Sequence, residues 1–293
     1  MLAHLIALNP MKTFMSQRRS LWSISLLLVA FFPLALAAQT RCDEGNGAFS
    51  SAPPQGVTPQ QIIEKFADRE ATFKEARDHY TYTQQVTVQE LEGHTVEGEF
   101  KEVTDILYDE KGKRVEHVTY APAPSLKRIY LSPADVEDFR NHLPFVLTTR
   151  DLPEYSILYA GQQPVDEVET YVFDVAAKKI EKGKRYFQGR IWVDNRDFQI
   201  VKTCGKTVPD VHKKDKEDLS PAFVTYREQV DGVYWFPTYT LADDFLHFAD
   251  GDVHIREILK YSGYKRFGVR SRIIFEGKEQ QNAPQPPKPE LQK

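Results

Sequence analysis

The densest group of chemically capable side chains lies between residues 243 and 254: Asp243, Asp244, His247, Asp250, Asp252 and His254. Neutral imidazoles and carboxylates together are a ligand set for a transition metal. Asp250-Gly251 reads as a hairpin turn. That places His247 near the turn and His254 on the returning strand, where the two could be cross-strand neighbours. A metal-dependent hydrolase would build on that pair. The same residues also describe a solvated hairpin end with turn-forming Asp, and adjacent Asp243 and Asp244 point to opposite faces of a strand. The solvated end is the simpler reading. The other histidines are scattered. No G-x-S-x-G elbow, H-E-x-x-H motif or phosphate loop occurs. The expectation is a protein that is not an enzyme, with no catalytic residue, metal or cofactor.

Two cysteines lie beyond the first forty residues, Cys42 and Cys204. In an oxidising compartment such a pair can bridge, tying an N-terminal arm to a strand; two unrelated thiols are the alternative. No C-x-x-C occurs, so neither a zinc ribbon nor a thioredoxin-like motif is supported.

The first 37 residues read as a signal peptide. Lys12, Arg18 and Arg19 form a positive region, Leu21 to Leu36 an apolar stretch, and Ala35-Leu36-Ala37 a small-x-small cleavage site. The apolar run falls short of the roughly 20 residues that span a bilayer, and Pro33 interrupts it. Cys42 follows Arg41, where lipid attachment would want a small residue. The mature chain is therefore expected to be soluble and exported to the periplasm.

Removing this segment changes the electrostatics. The whole chain has 38 basic and 42 acidic residues, a net charge of −4. The signal takes three basic residues and no acidic ones, leaving −7. An acidic chain argues against a nucleic-acid partner and suits a monomer. All three Met fall within the first fifteen positions. The remainder is rich in Tyr, Phe and β-branched residues, which favours strands.

Residues 38–57 read as a flexible arm. Thr58 is then a good N-cap, Pro59 fits the first helical position and Gln61 completes a capping box. Ile62, Ile63, Phe66 and Phe73 give a helix over 59–77 one apolar face. From Tyr80 the period becomes two: Tyr80, Tyr82, Val86 and Val88 share one face. Strands follow over 98–108 and 113–120. Ser132, Pro133 and Asp135 open a second helix reaching about His142 or Leu143, with Val136, Phe139 and Leu143 as its stripe. Further strands cover 155–160, 169–176, 187–194, 198–204, 222–230 and 233–243, the last two joined across Asp231-Gly232. Residues 210–220 form a charged loop, and 280–293 a disordered Pro-rich tail. The domain over 58–279 is thus mostly β, with about ten or eleven antiparallel strands that curl, and two helices.

That order, with Gly189-Arg190-Ile191-Trp192-Val193-Asp194 before Asp197-Phe198-Gln199-Ile200-Val201, resembles the lipoprotein-localisation-factor (LolA/LolB-like) superfamily. Gly161-Gln162-Gln163-Pro164-Val165-Asp166 before Tyr171-Val172-Phe173 is also similar. The resemblance covers roughly Pro59 to Phe267 and is structural. It implies an incomplete β-barrel with helices as a lid over an apolar cavity, and a carrier that holds acyl chains of lipoproteins or lipids. The residues expected to face the cavity are Phe66 and Phe73 on the first helix, Phe139 on the second, and Tyr82, Val86, Tyr171, Phe173, Ile191 and Val193 on the sheet. The charged loop, the tail and the Cys42 arm depart from a minimal carrier. They leave open an envelope sensor or interaction module that engages a membrane protein.

Overall fold

The structure, a computed structural model, describes residues 42–109, 113–131, 136, 139, 146–182, 184–209 and 218–267. The expected signal peptide, the Pro-rich tail and most of the charged loop lie outside the described residues.

Helix α1 spans Pro59–Arg77. Its start is the reciprocal cap that the sequence predicts: Thr58 Oγ1 accepts from the Gln61 amide, and Gln61 Oε1 accepts from the Thr58 amide. Ile62, Ile63, Phe66, Ala67, Glu70 and Phe73 are its buried residues. Of the second expected helix, over 132–143, only Val136 and Phe139 are described, and both are helical. One helix is therefore complete among the described residues, where the sequence predicts two.

Ten strands follow: β1 Tyr80–Glu92, β2 Thr95–Tyr108, β3 Arg114–Tyr120, β4 Tyr155–Gln162, β5 Thr170–Ala177, β6 Tyr186–Asp194, β7 Ile200–Val208, β8 Phe223–Val230, β9 Tyr234–Phe248 and β10 Gly251–Arg266. They form one sheet in the order β3-β2-β1-β10-β9-β8-β7-β6-β5-β4, not closed into a barrel. Every neighbouring pair is antiparallel. The β8–β9 turn forms as expected, with Asp231 and Gly232 both at positive φ. Phe198 also takes positive φ, so β7 begins at Ile200 instead of 198. Gly189 lies opposite Gly205, and a Cβ on Gly189 would sit 2.2 Å from the Cys204 carbonyl oxygen. The hairpin that carries the resemblance thus needs glycine for its backbones to approach.

The first strand pairs with the last, in register from Tyr80↔Arg266 to Leu91↔His254. This makes β3 and β4, consecutive in sequence, the two opposite edges. Nine inter-strand steps of about 4.8 Å separate them along the sheet. Residues 121–154 must cross that distance. Those of the crossover's described residues that pack on the sheet lie on the face that α1 also covers, here called inner. Ile129, Leu131 and Phe139 pack with Val86 and Leu259 from β1 and β10. Val146 then joins Phe73 and Phe236, and Leu147 lies under α1 with Ile62 and Phe66.

The start of the crossover is clamped by a single carboxylate. Glu90, on β1, accepts from three successive amides, Lys127, Arg128 and Ile129, at 2.8, 2.7 and 2.6 Å. Charge-assisted bonds of this kind are about twice as strong as neutral ones.

The opposite, outer face carries residues 42–52, the part of the arm within the described residues. Cys42 is joined to Cys204 on β7, with a Cα–Cα distance of 5.6 Å. From there the chain crosses to Val165 and pairs Ser50 with Gln162 at the end of β4. It rounds that edge, where Tyr159 Oη donates to the Ala52 carbonyl, and enters α1 on the inner face. The segment is a strap from one face of the sheet to the other.

Glu70 interrupts the apolar face of α1. It is 1% exposed and forms a bidentate pair with Arg227 of β8, at 2.8 and 3.2 Å. The guanidinium carbon also lies 5.2 Å from the Phe73 ring centroid. Burial pushes the Glu70 carboxyl above its ordinary range, and the facing Arg227 opposes that shift. Breaking a buried pair strands a charge, whereas removing both leaves an apolar contact. Arg227→Met should destabilise the fold by about 3–5 kcal/mol in denaturant unfolding, and the Glu70→Leu/Arg227→Met double variant should recover most of that loss.

Candidate functional site

The inner face is built from alternate residues of each strand. On β1 these are Tyr80, Tyr82, Gln84, Val86, Val88 and Glu90. On β10, register places Tyr261 beside Gln84 and Leu259 beside Val86. On β5 and β6 they are Tyr171, Phe173 and Val175, with Ile191 and Val193 opposite the first two.

The nine residues expected to face an apolar cavity fall into three groups. Phe66, Tyr171, Phe173, Ile191 and Val193 form one cluster beneath α1. There Phe66 and Phe173 meet edge to face at 5.7 Å between ring centroids. Phe173, Ile191 and Val193 have no exposed surface, so α1 itself fills this half of the inner face. Phe73 belongs to a second group with Tyr80 and Phe236, its ring 5.1 Å from that of Phe236. Tyr82, Val86 and Phe139 form the third, with Val88, Leu259 and Tyr261.

This third group has a different character. Its buried floor is Val86, Val88, Phe139, Leu259 and Tyr261, while Tyr82, Phe100, Ile129, Leu131 and Tyr264 around it are only partly buried. Aromatic rings face one another across it, Tyr82 and Tyr264 at 5.1 Å. At its floor Gln84 Nε2 donates to the Phe139 carbonyl at 2.9 Å, and at its rim Tyr264 Oη donates to the Pro237 carbonyl at 2.7 Å. Burial raises the Tyr261 and Tyr264 hydroxyl pKa values, so both rings stay neutral. The patch is thus uncharged, apolar and roofed by the crossover that Glu90 clamps. Leu259, Tyr261 and Tyr264 are absent from the sequence expectations. The alternation of Val253, Ile255, Leu259 and Tyr261 along 251–266 is the signal that could have found them.

Trp192 of β6 and Tyr234, Trp235 and Phe236 of β9 divide between faces. Trp192 is on the outer face, its indole N–H donating to Gln163 Oε1 at 3.0 Å. Trp235 also packs there and donates to Asp197 Oδ2 at 3.0 Å. Phe236 and Tyr234 join the inner cluster around Phe73.

The acidic hairpin does not bring its two histidines together as direct partners. Register sets Asp252 opposite His247 and Phe245 opposite His254. Each imidazole has its own carboxylate: His247 Nδ1 lies 2.8 Å from Asp252, and His254 Nε2 lies 2.6 Å from Asp243. Asp243 is held further by Arg256 at 2.9 Å. Asp244 does point to the other face, where it accepts from the Ala222 amide. Among the described residues no group of three or more His, Cys, Asp or Glu side chains is placed to hold a metal. The Asp252 hydrogen bond raises the His247 pKa above its usual 6.5. That contribution is fully present below the unfolded value and is lost as pH rises through the folded one. An NMR titration should place the His247 midpoint above 6.5, and Asp252→Asn should return it to the ordinary value.

The structure is mostly β, one open antiparallel sheet with helical cover on one face, parts that the sequence resemblance also implies. No protein-family model matches the chain. No curated protein matches it either. Among solved structures it is similar to a DUF1329 family protein from Desulfovibrio piger, at 15% identity over 72% of this chain and 94% of that one, with a TM-score of 0.36. It is similar to a LolA superfamily protein from Nitrosomonas europaea, at 16% identity over 73% and 95%, with a TM-score of 0.30. A third similar structure is the MucA/MucB complex of Pseudomonas aeruginosa, at 11% identity over 67% and 94%, with a TM-score of 0.21. At these TM-scores the likenesses carry no argument about what the chain binds.

Proposed function

We propose that the protein is a non-enzymatic envelope carrier that holds an acyl chain of a lipid or lipoprotein on the inner face of its sheet, beneath the 121–154 crossover. The observation that carries this reading is the unequal filling of that face. Under α1 fourteen buried residues outnumber six partly buried ones at the margin, whereas around Val86, Phe139 and Leu259 five buried residues are ringed by five partly buried aromatic and aliphatic ones. A flexible apolar chain suits such a surface because its affinity comes from area removed from water. The Cys42–Cys204 bridge fits an oxidising compartment, as does the export signal expected over residues 1–37. Among the described residues no helix is long and apolar enough to cross a membrane.

Binding through methylene burial has a quantitative signature. At about 0.8 kcal/mol per CH₂, each added methylene should tighten binding about fourfold until the site is filled. Titration of delipidated protein with a fluorescent fatty acid, and competition by saturated acids of increasing length, should show that progression. Val86→Glu, which puts a carboxylate on the floor, should weaken uptake at least tenfold. Absence of uptake, or affinity independent of chain length, sinks the carrier reading.

A second reading, an interaction module for an envelope membrane protein, is favoured by the two sheet edges. The strap pairs with the end of β4, but β3 has no such cover among the described residues, and its Val118 and Tyr120 are 45% and 53% exposed. An exposed edge strand is a template for pairing with another chain. Crosslinking in envelope extracts should capture a partner that Val118→Lys/Tyr120→Lys loses. A capture pattern unchanged by those substitutions removes this reading.

A further inference from the structure

Lys202, on the outer face of β7, has none of its surface exposed. Its ammonium lies 5.0 Å from the Trp192 ring centroid and 4.8 Å from that of Tyr226, as in a cation–π box. Nζ donates to the Glu44 carbonyl at 2.7 Å and to Asn46 Oδ1 at 2.8 Å. Both acceptors are neutral, and both belong to the strap. Tyr226 Oη also donates to the Glu44 carbonyl. The strap therefore does not merely pass over the lysine; it completes the hydrogen bonding of the buried ammonium. Four further bonds hold it to the β4–β5 connection, Asp166 N to Gly45 O, Gly47 N to Pro164 O, Gln163 Nε2 to Gly47 O and Asn46 Nδ2 to Gln163 Oε1.

The sulfurs that tether this strap differ in access. Cys204 is 2% exposed beneath it, while Cys42 is only half-buried at its start. We propose that residues 42–50 are a thiol-responsive clasp: the Cys42–Cys204 disulfide holds the strap over Lys202, and its reduction lets the strap lift and bare the Trp192–Lys202–Tyr226 face. The reductant is a dithiol. Its thiolate attacks Cys42 Sγ, the sulfur–sulfur bond breaks, and Cys204 leaves as a thiolate that takes up a proton. The second thiol of the reductant then attacks the mixed disulfide and releases Cys42. Two electrons and two protons pass to the protein, and the dithiol becomes a disulfide.

The lysine supplies the opposing force. Burying an ammonium against neutral acceptors leaves much of its desolvation cost unmet. That burial pushes its pKa down to about 8, against Asp166, Asp43 and Glu44, which raise it. The remaining titratable neighbour on the facing strand, Tyr226, is pushed up to about 12 by burial and by Glu44 and Asp166, and stays neutral. With the strap lifted, Lys202 returns towards its ordinary 10.5, so docking releases a proton between pH 8 and 10.5. Docking of the reduced strap therefore strengthens as pH rises through that window. The limit is about 300-fold for the 2.5-unit difference, since each unit is a factor of ten. With the disulfide intact the tether overrides this preference.

Amine acetylation of the full chain, read by mass spectrometry, tests the clasp. In the oxidised protein Lys202 should stay unlabelled under conditions that label exposed Lys179 and Lys182. With dithiothreitol, and in Cys42→Ser without reductant, Lys202 labelling should rise at least tenfold at pH 7.5 while α1 amides keep their hydrogen-exchange protection. In reduced Lys202→Met, which has no charge to bury, the amides of Gly47 and Ser50, which donate to the Pro164 and Gln162 carbonyls, should remain protected. Two outcomes overturn the proposal. One is Lys202 still shielded in the reduced, folded protein. The other is loss of α1 protection on reduction, which makes the disulfide a staple of the whole domain.

Discussion

The pairing of β1 with β10 determines how everything else is arranged. It joins a three-strand meander to a seven-strand meander through their first and last members. The two edges of the sheet then belong to strands that are neighbours in sequence. A connection between opposite edges cannot be short, and it must lie on one face or the other. It lies on the inner face, beside α1, so the sheet is covered there by two pieces of chain with different origins. One is a helix whose apolar stripe packs on β4 to β9 and, through Phe73, reaches Tyr80 of β1. The other is a crossover pinned at its start by Glu90 and touching the sheet through Ile129, Leu131, Phe139 and Leu147. The first packs as a core. The second roofs a patch whose rim is left half open.

Among the described residues each face contains one buried cation, and the two are handled in opposite ways. Arg227 on the inner face meets a carboxylate in fork geometry, and the pair ties α1 to β8. Lys202 on the outer face meets aromatic rings and neutral oxygens. A matched pair resists separation because either partner alone is costly; an ammonium without a counter-ion favours re-exposure. The covalent tether lies on the face where the non-covalent contacts are least self-sufficient.

Much of the architecture was legible from local chemistry. Thr58, Pro59 and Gln61 give the helix start; Tyr82, Val86 and Val88 give the inner face of β1; Asp231-Gly232 gives the β8–β9 turn. Those features depend on residues within a few positions of one another. The division of the nine expected cavity residues into filled and open groups was not legible, because it depends on which strands α1 covers, and hence on sheet order. Tyr80–Arg266 register is set by pairing across nearly the whole domain, so no window of sequence contains it. The expectation that His247 and His254 could be cross-strand neighbours missed their register for a related reason: the two-residue turn falls on Ala249-Asp250, one position before Asp250-Gly251, so His247 faces Asp252 and His254 faces Phe245. Lys202 reads in sequence as an ordinary strand lysine between Val201 and Thr203. Only the strap, arriving from more than 150 residues earlier, buries it.

The order of the strands also dictates an order of events. As the chain lengthens, β1 to β3 and β4 to β9 can each assemble as hairpins from local contacts. Until residues 251–266 exist, however, β1 and β9 both present bare edges, and the crossover has only part of its surface beneath it. Gln84 meets Tyr261 at the very end, 177 residues later. Contacts of that separation slow folding because loop closure must come before any gain. Until that closure the two part-sheets keep bare edges, and self-association is a hazard. The last strand acts as the key that closes the sheet.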